Sequence, residues 1–419
     1  MTSSGTPAGS RAPVPGADRG VGSAGPTGRA AWHRRVAALP LGYLTVLVGL
    51  AFVHPFLPSW HWFAVHLLLL GAVTNAILVW STHFAAAVLR VPPPAGRRAE
   101  VARLALLNVG ILGVLAGGAG WPMLGVAGAA AAFAAVSAHL WSLAARLRAS
   151  LPAPFGITVR YYLAAATALL VGIPVGAWML VVDDDEQPRL VLFHAHVNLL
   201  GWVTLTVLGT LLTLWPTVLR TRIADGAVRA ATVALRVAVA GLALLGVGLL
   251  AWWRPVAVGG LAVVAVAVLI ALRPAVGIAR TRPPSSFAAW SIAAALGWLL
   301  VAGAVDAGVL ATAPNPAVAV DRFGTVLTLL LAGFVGQVLL GALAYLLPMA
   351  LGGGPGSVRR RTARMERHWP QRVAMTNAAL TAFALPVPPA VRITTSLLLL
   401  VALLQFLVPA VHLLLADRG

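Results

Sequence analysis

The chain has 419 residues, 60% hydrophobic and 10% charged, with a mean hydropathy of +0.90 and no cysteine. A soluble enzyme would carry about a quarter charged residues, so that class is excluded, as are disulfide frameworks, zinc–thiolate sites, iron–sulfur clusters and cysteine nucleophiles. The formal charge is +19 and every basic residue is arginine, but the arginines lie singly or in short clusters between long apolar runs, which is the pattern of a polytopic membrane protein rather than of a nucleic-acid-binding surface.

Residues 1–36 are rich in Gly, Pro, Ser, Ala and Arg without apolar periodicity, which predicts a disordered tail. The long polar stretch before the first apolar run argues against a removed signal peptide. A membrane-crossing helix needs roughly 20 mostly apolar residues at about 1.5 Å each. That ruler places twelve spans, at 37–53, 62–84, 101–119, 121–145, 158–182, 190–214, 229–251, 255–273, 287–311, 320–347, 372–392 and 395–416, with the third/fourth and eleventh/twelfth separations least defined. The fold class read from the sequence is therefore an all-α integral membrane protein of about twelve helices.

Arginine placement follows the same count. Arg34 and Arg35 precede span one, and Arg90, Arg97, Arg98 and Arg103 follow span two. Arg146, Arg148 and Arg160 follow span four, and basic residues recur in every second connection to Arg418. Short cytoplasmic loops carry the basic excess, so both termini are predicted to be cytoplasmic. The intervening loops carry His54, His61, the acidic run Asp183 to Glu186, Asp306 and Asp321. Arginine without lysine, in a chain rich in Ala, Gly, Val and Leu, matches the codon usage of a GC-rich bacterial genome, and the predicted location is a bacterial cytoplasmic membrane.

Three segments repeat. His66, Gly71, Val73 and Thr74 recur as His196, Gly201, Val203 and Thr204, and Gly201, Val203, Gly209, Leu211 and Pro216 recur as Gly333, Val335, Gly341, Leu343 and Pro348. Each shift equals four spans, predicting a membrane domain at 37–416 built of units at about 37–150, 151–280 and 281–416.

Twelve spans in three fourfold units resemble the main subunit of the haem-copper oxidase and nitric oxide reductase superfamily. The segment FHAHVNLLGWVTLTVLGTLLTLWP, from Phe193 to Pro216, is similar to the haem-bearing helix of that superfamily. The segment HLLLLGAVTNAILVWSTHFAAAVLR, from His66 to Arg90, resembles the membrane domain joined to copper nitrite-reductase-like multicopper oxidases of actinobacteria, and NnrS-type haem-copper proteins are another similar group. The resemblance implies haem b and/or copper, electron transfer or nitrogen-oxide and copper metabolism, and a multicopper oxidase or cupredoxin-type partner. The chain would be an oxidoreductase component. It departs from oxygen-reducing members: span seven has no histidine, Thr328 stands where the repeat would place a third, and no tyrosine lies one turn beyond His194 or His196. A full binuclear centre is not expected.

His54, His61, His66, His194 and His196 cluster at the outer ends of the first, second and sixth spans. Imidazole is the strong ligand left to a cysteine-free chain, and it suits haem iron and copper. Repeat equivalence pairs His66 with His196 across a common axis, as a bis-histidine haem site or a shared copper site. His61 and His194 are further metal-ligand candidates, although 194 and 196 lie about 200° apart on a helix. Asn75 and Asn198 are cofactor-binding candidates as donors to a propionate or ligand histidine; helix–helix hydrogen bonding is the alternative. Thr204, Thr206, Thr210 and Thr213 are expected to bond back into the helix, and Gly201, Gly209, Gly333 and Gly341 to permit close packing. His33, His83, His139, His368 and His412 are read as structural.

All eleven acids fall in tails, loops or span ends, which disfavours proton pumping and proton symport. The run Asp183 to Glu186 is read as a solvated loop, or as a docking edge for an electron carrier. A non-redox transporter or metal-delivery channel is the alternative function, and a structural anchor for a partner enzyme a third.

Overall fold

The computed structural model describes residues 26–91, 96–182 and 185–416, and no strand occurs among them. Among the described residues eleven helices are long and apolar enough to cross a membrane. The first begins at Pro26, α1 (Pro26–Val53). There follow α2 (Trp60–Leu89), α3 (Arg98–Gly118), α4 (Pro122–Ala149), α5 (Ile157–Trp178), α6 (Gln187–Val218), α7 (Ala227–Leu250), α8 (Arg254–Thr281), α9 (Phe287–Thr312) and α10 (Pro316–Ala350). A polar helix α11 (Gly354–Met365) leads to α12 (Trp369–Ala384) and α13 (Pro389–Ala416).

Two features differ from expectation. Residues 26–36, expected in the disordered tail, are helical, because Trp32, His33 and Val36 already pack inward: His33 is buried against the rings of Trp80 and His83. Residues 1–25 lie outside the described residues. The predicted eleventh span is the 16-residue helix α12, about 24 Å long and shorter than the roughly 30 Å hydrocarbon core. Pro386 and Pro388 stop it, since proline disfavours helix at the preceding residue, and residues 389–392 belong instead to α13.

The repeat appears in backbone geometry. Each of α2, α6 and α10 is interrupted by a π-helical turn, at Leu67–Val73, Val197–Thr204 and Leu329–Gly336, displaced by the same 130 and 132 residues as the sequence motif. In the first two, a threonine hydroxyl donates to the carbonyl five residues back, Thr74 to Leu69 and Thr204 to Leu199, each at 2.9 Å. Trp202 Nε1 donates to Thr74 Oγ1 at 3.1 Å, tying α6 to α2.

The repeated glycines admit neighbouring helices. Gly201 faces Ala168 and Gly333 faces Trp298, while Gly209 faces Tyr161 and Gly341 faces Ser291. The facing residues are themselves 130 apart in each pair. At the α3–α4 contact it is backbone that meets backbone: a Cβ at Gly113 would lie 2.7 Å from Gly128 Cα. Such small-residue seams are how membrane helices gain packing without a hydrophobic drive between them.

Candidate cofactor site

His66 and His196 each immediately precede a π turn, and the two rings are held alike. Nδ1 of His66 donates to Trp62 O at 2.8 Å, and Nδ1 of His196 donates to Leu192 O at 2.6 Å. The two rings do not converge as expected, because each has a different partner. His66 on α2 faces His194 on α6, and His196 faces Asp306 on α9.

The His66 and His194 rings are 6.5 Å apart between centres and inclined by 27°. Trp62 stacks on His66 at 3.9 Å. His194 Nδ1 donates to Gly172 O at 2.9 Å, so both rings have the proton on Nδ1 and the lone pair on Nε2, and no hydrogen bond engages either Nε2. Metal-ligating histidines are commonly oriented in this way by a carbonyl behind the ring. Metal–imidazole bonds of about 2 Å place two rings on opposite sides of one ion about 6 Å apart between centres, close to the observed spacing.

Both rings line a cavity of about 430 Å³ between α2, α5 and α6, whose walls are mostly apolar, including Leu69, Leu169, Ile173 and Val203. His61 is exposed at its edge, stacked on Trp60 at 3.5 Å. Asn198 also lines it; its Nδ2 donates to His194 O at 2.8 Å, and its buried Oδ1 has no partner. Two residues not singled out by sequence shape this wall. Gly172 supplies the carbonyl that holds His194 and leaves room for Asn198, and Gly176 lies against the His194 ring. A Gly-x-x-x-Gly spacing beside Pro174 is the signal, though many membrane helices share it.

Several expectations need correction. His196 does not join His66: its ring is buried, with Nε2 2.8 Å from Asp306 Oδ2, and with both nitrogens engaged it has no lone pair to offer a metal. The helix itself separates 194 from 196 onto different faces. Asn75 is also committed elsewhere, donating to Gly71 O at 2.8 Å and forming a reciprocal amide pair with Asn108 on α3 at 2.9 and 3.2 Å. Asp306, read as a span-end residue, is 2% exposed, and its second oxygen is buried without a partner, so the membrane region does contain a buried carboxylate.

Thr204, Thr206, Thr210 and Thr213 bond back to helix carbonyls as expected. His54 bonds to Ala51 O near the same loop. Asp183 and Asp184 lie outside the described residues; Asp185 and Glu186 are exposed, and Glu186 pairs with Arg189 at 2.9 Å.

Among the described residues no three His, Asp or Glu side chains converge as a metal-binding group. The donor set therefore fits a group that brings most of its own ligands and needs two imidazoles. No protein-family model matches the chain, and no curated protein matches it.

Proposed function

We propose that this membrane protein holds a haem b between His66 and His194 and passes electrons across or along the histidine-bearing end of the bundle. One observation carries the reading: two imidazoles face each other across an apolar cavity, each fixed by a backbone carbonyl with Nε2 directed away from it. A porphyrin would bring nitrogen ligands of its own and a broad apolar face, so two protein ligands would suffice. Bound haem would supply one-electron redox chemistry. The protein's part is to fix both rings, exclude water with the leucine and valine walls, and present Asn198 at the cavity edge.

The pairs His54–Trp60 at 4.9 Å, Trp60–His61 at 3.5 Å and Trp62–His66 at 3.9 Å place aromatic rings between the loop and the ligand. They support approach by an extracytoplasmic cupredoxin or multicopper oxidase at a bacterial plasma membrane, in electron transfer or nitrogen-oxide metabolism. The resemblance to the haem-copper superfamily points the same way. A second reading follows from His61, which lines the same cavity without converging on the facing pair: copper is passed from His61 to His66 and His194, imidazole being a ligand that suits it.

The test is a reduced-minus-oxidised spectrum with metal analysis of the purified full chain. Haem binding gives a Soret and an α band that His66→Ala and His194→Ala each abolish and that His196→Ala leaves in place. A copper-loaded chain with a flat Soret region selects the second reading. A colourless, metal-free preparation from cells supplied with haem and copper removes both.

A further inference from the structure

The opposite, arginine-rich end of the bundle contains a second cavity, of about 320 Å³, between α1, α2, α3 and α4. Its lining brings together Arg97, Arg103, Arg146, Glu100, His83 and Trp32. We propose that this cavity is a binding site for a phosphate-class oxyanion, the headgroup of an anionic phospholipid or a soluble phosphate.

The charges do not balance internally. Glu100 accepts from Arg97 at 3.0 Å and lies 3.9 Å from Arg146, so one carboxylate faces three guanidinium groups and an excess of two positive charges remains. Arg103 carries the argument furthest. It is 8% exposed; among the described residues its one hydrogen bond is a long 3.5 Å contact from Nη2 to Thr82 Oγ1, and its buried Nε has no partner.

Burying a guanidinium without acceptors is costly. An anion with several oxygens resolves that cost by taking the free donors of Arg103 together with Arg146. Inorganic phosphate, like a phosphate monoester, carries about −1.5 to −2 charges, matching the excess, and the paired phosphodiesters of cardiolipin do the same with one charge on each phosphate; guanidinium forks suit the geometry of either. The remaining wall is apolar, with Leu78, Val79, Ala86 and Leu104, as an acyl chain beside a headgroup would require. Basic pockets between membrane helices are a recurrent mode of anionic headgroup binding. The proposal is independent of the histidine pair, which lies at the other end.

The experiment uses the full chain in phosphatidylcholine nanodiscs, in discs containing cardiolipin or phosphatidylglycerol, and in phosphatidylcholine discs with millimolar inorganic phosphate. Thermal unfolding is read in each. Anionic lipid should raise the midpoint of the wild type, with the increase lost in Arg103→Gln and partly restored in Arg103→Lys. An Arg103-dependent increase with inorganic phosphate alone assigns the site to a soluble anion. Failure of lipid and phosphate alike to shift the wild type, or a shift of equal size in Arg103→Gln, overturns the proposal.

Because loss of a buried arginine can compromise folding, native mass spectrometry of the wild type and of Arg97→Gln, at the cavity rim, gives a second readout. Phospholipid or phosphate adducts should be present on the wild type and several-fold fewer on the variant. A wild type without adducts, or a variant with equal adducts, counts against the site.

Discussion

Gly176→Ala turns the histidine geometry into a measurable quantity. A Cβ at position 176 would stand 2.7 Å from His194 Cε1 and 3.2 Å from Nδ1. Carbon contacts settle at about 3.5–4.0 Å, so the ring must withdraw by roughly 1 Å. A withdrawal of that size stretches the 2.9 Å bond from Nδ1 to Gly172 O beyond the range of a useful hydrogen bond. The obstacle is the end of a side chain, so the helices need not separate. The lost bond costs about 1 kcal/mol and the helical preference of alanine over glycine returns up to about 1 kcal/mol, leaving the unfolding temperature nearly unchanged. Disturbing the group that orients a ligand typically weakens metal affinity by about 10–100-fold. Haem titration of apoprotein, followed at the Soret band beside a thermal melt, separates the two effects. Wild-type affinity with an unaltered spectrum would refute the assignment of His194 as a ligand held by Gly172.

The buried pair between α6 and α9 should behave differently: Asp306→Ala leaves His196 without its partner and should cost about 3–5 kcal/mol of stability if the pair is ionic, with Asp306→Asn costing less, and neither should change cofactor affinity. A stability loss no larger than that of an exposed substitution would exclude such a pair. In the loop after α11, burial raises the Glu366 carboxyl above its ordinary 4.5, against the pull of the Phe287 N–H at 2.5 Å and of Arg372. A raised folded-state value means that its stabilising contribution is complete below pH 4.5 and is lost as pH climbs through the higher value; Glu366→Gln should therefore gain on the wild type over that rise, and parallel pH–stability profiles would contradict this. On the α3–α4 seam, a Cβ at Gly128 would meet backbone, 2.5 Å from Val114 N and 2.6 Å from Gly110 O, so Gly128→Ala should lose about 1–3 kcal/mol. Gly297→Ala, with nothing within 4 Å, should gain up to about 1 kcal/mol, and equal unfolding midpoints for the two variants would show that the seam is not tight.

The membrane class and nearly every span were legible because twenty-residue apolar runs are a one-dimensional signal. The break at Pro386–Pro388 was misplaced because the residues on both sides of it are apolar, and hydropathy alone does not locate it. The start of α1 was missed for a related reason: Ala30, Ala31 and Trp32 carry little apolar periodicity, and their order comes from packing against α2. In the site, the repeat alignment of His66 with His196 was readable, whereas the shared hydrogen bond to the carbonyl four residues back came only from the structure. Direction was not readable either, since a repeat states that two side chains are alike without stating whether they meet on an axis or follow one another around a ring. That ambiguity put His196 in the place that His194 occupies. The depth of Asp306 was hidden likewise, because only its contact with α6 distinguishes a span-end acid from a buried one.

The π turns carry a consequence for how the two layers of the bundle vary. A turn with one surplus residue advances the angular phase of everything downstream by about 100°, so the half of the helix above it can be aimed independently of the half below. In α2 and α6 the upper half answers to another helix, through His66 with His194 and His196 with Asp306, whereas Thr328 in α10 bonds back to Gly324 O of its own helix. The lower half answers to a following helix, through Asn75 with Asn108 and Gln337 with Asn377. The corresponding place in α6 is Leu205, and the upper place in α10 holds no histidine. Each copy thus bears its own combination of polar residues, and the decoupled phases let a copy dispense with its imidazole while retaining its amide latch, or the reverse, without disturbing the other layer.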